Sequence, residues 1–236
     1  MNTILIDGVS SDTVRLRFDK LPLYPAAKRR TNTYTIPGSG EDITTLTDDY
    51  DDIPLVLEAY LVGSTTIQAV YDWIRSGTQL ILSTQPGVRT TIKQVGEIAP
   101  ARIGWDAHKI SIPLTLAPFR YRVANDAVTL SESPAQLQTI GNLYSLPVYH
   151  LTGCAGDISL TVNGTTLSVT DAPGTVTIDI GAQTIYSTIN DVPQSILDTT
   201  SGAFWNMVLH PGDVPNQISW AGTVGSVAVT RNERWV

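Results

Sequence analysis

Residues 158–169 read Ile-Ser-Leu-Thr-Val-Asn-Gly-Thr-Thr-Leu-Ser-Val, and this stretch decides the fold class. Ile158, Leu160 and Val162 alternate with polar residues, and Leu167 and Val169 resume the alternation beyond Asn163-Gly164. A period of two sends one row of side chains into a core and the other into water, which is the mark of a half-buried strand. Asn-Gly between two such runs supplies two residues that tolerate positive φ, as a type I′ hairpin turn requires.

Outward from this hairpin, the second half of the chain is a series of short strand patterns. They are broken at Gly141-Asn142, Gly153, Pro173-Gly174, Pro211-Gly212 and Gly222, the spacing of an antiparallel sandwich. The first half holds strand patterns at Asn2–Ile6, Thr13–Phe18, Ile53–Val62, Leu80–Ser83, Arg89–Val95 and His108–Leu116. Ile67, Val70, Tyr71 and Ile74 fall at i, i+3, i+4 and i+7 and predict one amphipathic helix, with Ser64 or Thr65 as cap and Gly77 as a left-handed terminator. From Pro22 to Asp52 the alternation is lost, so this segment reads as a long irregular loop of functional character. The polar run 125–138 places a boundary near residue 124, giving domains 1–124 and 125–236.

Composition narrows the function classes. The 236 residues are 42% hydrophobic and 16% charged, with a formal charge of −7, and the 15 Lys and Arg are thinly spread. Nucleic-acid binding needs clustered cations that displace counterions from phosphates, and Lys28-Arg29-Arg30 without interleaved aromatics is a poor site of that kind. An acidic surface suits instead a conduit that DNA passes without sticking. The N-terminus shows no basic segment followed by an apolar one, and no run reaches the roughly 18 apolar residues of a membrane span, so synthesis in the cytosol is expected.

Chemistry-bearing motifs are scarce. Cys154 stands alone, which excludes an internal disulfide and a thiolate zinc set, and is expected to be a small buried side chain. His108, His150 and His210 have no partner at metal-ligand spacing. Asp48, Asp49, Asp51 and Asp52 lack the glycine and distal glutamate of a calcium loop and read as a solvated turn. No nucleophile elbow, P-loop or dinucleotide glycine pattern occurs, and Ser39 is a loop serine. The expectation is therefore no catalytic residue, no metal and no cofactor. Of the tryptophans Trp73, Trp105, Trp205, Trp220 and Trp235, Trp205 and Trp220 lie in strand-like runs and are expected to be buried rather than to stack on sugars.

Read in order, several segments resemble the siphophage distal tail proteins, the Dit family of tail-tip and baseplate hub proteins. They are the acidic stretch around Tyr50, the helix from Thr66 to Arg75, Ala117-Pro118-Phe119-Arg120-Tyr121, Gly141-Asn142 with Pro147-Val148-Tyr149, Leu160–Gly164, Val176–Asp179, Tyr186, Leu209–Asp213 and Asn216-Gln217-Ile218. Asp213-Val214-Pro215 departs from the family pattern, which runs almost directly from Gly to Asn.

The resemblance implies a mainly β protein with an N-terminal split-barrel-like, ring-forming domain carrying one helix, and a C-terminal galectin-like sandwich. It implies a virion structural subunit at the phage tail tip, a self-assembled hexameric ring with the tail tube protein on one face and a hub, fibre or receptor-binding protein on the other, DNA passing through without specific binding. A head-to-tail ring needs two complementary patches per subunit. The segment from Pro22 to Asp52 is the candidate for one of them, with Tyr24, Tyr34, Ile36 and Tyr50 as anchors. Two rival readings are a carbohydrate-binding sandwich using its tryptophans for adhesion to a host surface, and a two-carboxylate glycosidase, for which the sequence offers no facing pair.

Overall fold

The computed structural model describes residues 2–38, 40–62, 67–189 and 192–236, and is mainly β with one α-helix. Two units divide the chain, residues 1–123 together with Val236, and residues 124–235.

The first unit contains β1 (Ile4–Ile6), β2 (Val9–Ser10), β3 (Leu16–Arg17), β4 (Arg29–Thr35), β5 (Asp42–Tyr50), β6 (Ile53–Val62), α1 (Ile67–Arg75), β7 (Gln79–Leu82), β8 (Val88–Val95), β9 (Ala99–Gly104) and β10 (Ala107–Arg122). A curled sheet runs in the order β2-β1-β7-β8-β10-β6-β3, and β9 adds to β10. The β6–β10 ladder is its spine. Leu116 lies opposite Ile53, Leu114 opposite Leu55, Ile112 opposite Leu57 and Ile110 opposite Ala59, so two alternating rows become one buried layer. Pro113, which lacks the N–H a ladder needs, sits where the neighbour of β10 changes from β9 to β8, between Ser111 opposite Ala99 and Leu114 opposite Val95. Val70 and Ile74 of α1 are fully buried in the same core.

Several expectations change here. Thr13–Phe18 is not one strand, because residues 11–14 form a 3-10 turn closed by Arg15 at φ 55, and the hairpin partner of β1 is Val9–Ser10. The strand expected at His108–Leu116 runs on through Pro118–Tyr121 to Arg122. The helix caps Ser64 and Thr65 lie outside the described residues. Gly77 is not left-handed; its role is spatial, since an added Cβ would run into Cγ2 of Ile6, itself buried. Pro22–Asp52 is not an irregular loop but contains the hairpin of β4 and β5.

The second unit contains β11 (Val128–Leu130), β12 (Ala135–Leu137), β13 (Val148–Val162), β14 (Thr165–Asp179), β15 (Thr184–Ile189), β16 (Val192–Ser195), β17 (Thr200–Ser201), β18 (Asn216–Thr223) and β19 (Ser226–Thr230). Asn163 (φ 47) and Gly164 (φ 86) make the turn between β13 and β14, both left-handed as a type I′ turn demands. The expected breaks at Gly153 and Gly174 are kinks inside long strands. Both residues have positive φ, and the register shifts between Thr152 and Cys154. The first half of β13 pairs with β19 and the second half with β18. One core cluster holds Tyr149 and Leu151 from the first half and Ile158, Leu160 and Val162 from the second, so the kinked hairpin folds over to close a galectin-like sandwich. Buried Asn216 ties its edge together: its amide donates to the carbonyls of Leu137 (3.2 Å) and His210 (3.0 Å), and its Oδ1 accepts from the His210 amide (2.7 Å).

Asp7, at φ 47, accepts hydrogen bonds from the Thr78 amide, the Thr78 hydroxyl and the Gln79 amide, all at 2.9 Å. Burial raises the pKa of its carboxyl, but these donors outweigh burial and hold it below the ordinary carboxylate value. A depressed folded-state pKa stabilises fully above the unfolded value of about 3.9 and is lost as the pH falls through the folded one. Asp7→Asn should therefore flatten the acid limb of a stability-versus-pH curve below about pH 4, and an unchanged acid limb contradicts this. Gly77→Ala should destabilise the first unit by about 1–3 kcal/mol, the cost of overpacking beside Ile6, and so lower its midpoint in urea titrations; an unchanged midpoint refutes the spatial role.

Candidate functional site

A two-stranded hairpin has no interior, and β4 with β5 form a sheet of their own, apart from the curled sheet. Arg29 pairs with Tyr50 at the base and Thr35 with Asp42 near the tip. All seven residues of β4 are exposed. Tyr34 lies directly opposite Ile43, 57% and 50% exposed, which makes an apolar patch on one face, while Leu46, opposite Thr31, shows 62% of its surface on the other. Ile36, just past the end of β4, is also exposed. Exposed Thr44 and Thr45 and half-buried Thr47 supply β-propensity, and the hydroxyls of Thr45 and Thr47 donate to the carbonyls of Asn32 and Arg30 across the ladder.

The base of this arm is fixed. The Asp51 amide donates to the Lys28 carbonyl at 2.9 Å, and Arg30 Nε meets Asp51 Oδ1 at 2.8 Å. Asp52 pairs with Lys93 of β8 at 2.6 Å. Tyr50 packs edge-on to Phe119 of β10, with ring centroids 5.7 Å apart and planes at 72°. The Arg30 cation of the sole basic cluster is thus taken up by Asp51 of its own chain, which anchors the arm.

A second exposed hairpin tip lies between β9 and β10. Trp105 is 93% exposed and Ile103 56% exposed, and every residue of β9 is exposed. Arg102 holds the turn by donating to the carbonyls of Gly104 (3.1 Å) and Trp105 (3.2 Å). This tip was invisible in the sequence pattern, since a residue bare to solvent has no periodic neighbours.

The four anchors suggested by sequence separate into three settings. Tyr34 and Ile36 stand on the arm, and Tyr50 at its base. Tyr24 is a core residue, 6% exposed. Its hydroxyl donates to the Leu80 carbonyl (2.9 Å) and accepts from the Leu82 amide (3.1 Å). It has no face to offer a neighbour, and burial pushes its phenol well above the ordinary value.

Cys154 is buried, and burial raises its thiol pKa away from reactivity. His150 Nδ1 lies 2.9 Å from the Thr177 hydroxyl, a cross-strand contact within the sheet. Among the described residues no group of three or more His, Cys, Asp or Glu side chains is placed to hold a metal, and no helix is long and apolar enough to cross a membrane. Of the two tryptophans expected to be buried, Trp220 is half-buried against the second core, whereas Trp205 lies in a 3-10 turn and is 53% exposed; Trp73 is half-buried against the first core.

No protein-family model matches the chain, and no curated protein matches it. Two solved structures are similar over the whole chain. One is the Dit (gp 19.1) protein of phage SPP1, described as a paradigm of the hub adsorption apparatus in phages infecting Gram-positive bacteria; it matches with a TM-score of 0.74 and 13% identity, covering 100% of both chains. The other belongs to the phage P2 baseplate in its activated conformation, with a TM-score of 0.56 and 10% identity over 100% of this chain and 98% of that one. The chain thus shares the fold of these phage hub and baseplate proteins.

Tyr24→Phe should destabilise the first unit by about 1–3 kcal/mol in chemical denaturation, because the Leu82 amide loses a buried acceptor, while leaving any self-association intact. Loss of self-association with unchanged stability contradicts the core assignment.

Proposed function

We propose that this chain is a non-enzymatic structural subunit of a phage tail tip that closes into a ring, of six copies by the family resemblance, between the tail tube and the adsorption apparatus. The observation that carries this reading is the β4–β5 arm, which projects apolar side chains from both faces and buries none of them in its own core. An isolated two-stranded hairpin is marginal in water, so such an arm gains order by lying on another surface. A closed ring of identical chains gives every arm the same partner surface, and heterologous head-to-tail contacts leave no arm unpaired. Tyr34, Ile36, Ile43 and Leu46 are the anchors this reading assigns, with Tyr50 holding the base.

The full-length likeness to hub and baseplate proteins supports the same role, and with it a location in the virion. The formal charge of −7 favours a lumen that repels DNA, so that the polymer slides through. On this reading the tail tube protein meets one face of the ring and a hub, fibre or receptor-binding protein the other.

The arm is separable from the fold. Lys28 and Asp51 are already joined at its base, so replacing residues 31–47 by a short glycine linker should leave the curled sheet intact. Native mass spectrometry of this variant should show monomers where the full chain forms a closed oligomer, with the melting of the first unit little changed. Oligomers of unaltered size in the deletion variant would rule out the arm as a ring contact.

A further inference from the structure

The second unit holds a feature to which the proposed function assigns no role. The 3-10 turn Phe204–Asn206 sends Phe204 into the core, 6% exposed, and leaves the Trp205 ring 53% exposed, edge-on to Phe204 with centroids 5.5 Å apart. Beside it runs the segment of Tyr144, held to this turn region by a reciprocal bridge: the Ser145 amide donates to the Leu209 carbonyl at 2.8 Å and the Leu209 amide to the Ser145 carbonyl at 3.3 Å. Tyr144 is 44% exposed, its ring braced from within by the Arg234 guanidinium 4.6 Å from the centroid, and Arg234 Nε donates to the Tyr144 carbonyl at 2.7 Å. The turn between β14 and β15 makes the third wall. There Asp179 Oδ1 accepts from the Ala182 amide at 2.8 Å, and Gln183 takes a left-handed φ of 54.

These walls line an open cleft of about 460 Å³. Ile180, with half-buried Leu146 and Val208, gives it an apolar floor; the side chains of Gln183, Asn206 and His210 are exposed at its rim. The backbone beneath is fixed, because the Tyr149 hydroxyl donates to the Met207 carbonyl at 2.9 Å and the His210 carbonyl accepts from the Thr139 hydroxyl at 2.7 Å. The cleft is thus an aromatic pair over a rigid apolar floor, rimmed by amides that donate and accept, with no carboxylate, lysine or arginine side chain in its lining.

We propose that this cleft is a saccharide subsite for one residue of a neutral glycan. A pyranose has the matching chemistry: a face of C–H bonds that packs against the negative face of an aromatic ring, and a belt of hydroxyls that both donate and accept. Trp205 offers the stacking face and Tyr144 the flanking wall. Gln183 and Asn206 carry the hydroxyl recognition. An acidic sugar is disfavoured, since its carboxylate would meet no cationic side chain in the lining.

The test is saturation-transfer NMR on the full chain with the methyl glycosides of glucose, galactose, mannose and N-acetylglucosamine, alongside native mass spectrometry of the same samples. At least one sugar should receive saturation at its ring C–H protons. Trp205→Ala should weaken its affinity by about tenfold or more, the equivalent of about 1.4 kcal/mol. Asn206→Ala should also weaken it, whereas Trp105→Ala, on the first unit's hairpin tip, should not. No saturation transfer to any of the four sugars overturns the proposal, as does transfer that survives both Trp205→Ala and Asn206→Ala. Loss of oligomers in Trp205→Ala without any sugar signal would make the cleft a protein contact and overturn it too. Ring assembly is read separately by mass, so failure of the subsite and failure of the ring are distinguishable.

Discussion

Alternating burial along a few long strands is the constraint on which each unit depends. In the first unit the paired rows Ile53, Leu55, Leu57, Ala59 and Ile110, Ile112, Leu114, Leu116 lie opposite one another across β6 and β10. In the second, Ile158 opposes Val169 and Leu160 opposes Leu167 across β13 and β14, and Tyr149 opposes Ile178 beyond the kinks. A slip of one residue in either ladder would turn a whole row to water, so register and core specify each other. The turns, the helix and the buried Asn216 network fix the ends of this arrangement rather than create it.

The β4–β5 arm breaks that rule. Its residues form a regular ladder with no core behind it, and its apolar side chains are divided between two exposed faces. A protein that keeps Tyr34, Ile43 and Leu46 on a bare hairpin carries a solubility liability unless a partner covers them. The firm base at Lys28, Asp51 and Tyr50 and the bare shaft beyond it suit an element that is held by its own subunit and buried by the next. The cleft of Trp205 and Tyr144 is a different exception, in which aromatic side chains are exposed on an unusually well-braced backbone.

The parts legible in the sequence are those where burial leaves a period. Strand β6 and the Asn163-Gly164 turn sit where alternation and turn chemistry place them, as does the apolar stripe of α1, and the mainly β class with a split-barrel-like and a galectin-like half follows from the family resemblance. The arm is illegible to hydrophobic periodicity, which reports a buried face where the arm has none; its threonines, with Pro37-Gly38 between the two runs, are the signal the sequence does carry. Pro22 and Pro25 mark Tyr24 as a loop residue in the sequence, whereas its burial depends on β7, far away along the chain. Trp205 reads as a strand residue until the 3-10 turn around it is seen. At Gly153 and Gly174 the sequence does not distinguish a kink from a strand end.

The central claim is that identical copies of this chain close on one another through surfaces their own cores leave bare. Electron microscopy of the purified full chain tests it most directly. The account predicts closed annuli of uniform size with six-fold symmetry and a central opening. A population of isolated monomers at every concentration, or open filaments without closure, would contradict it.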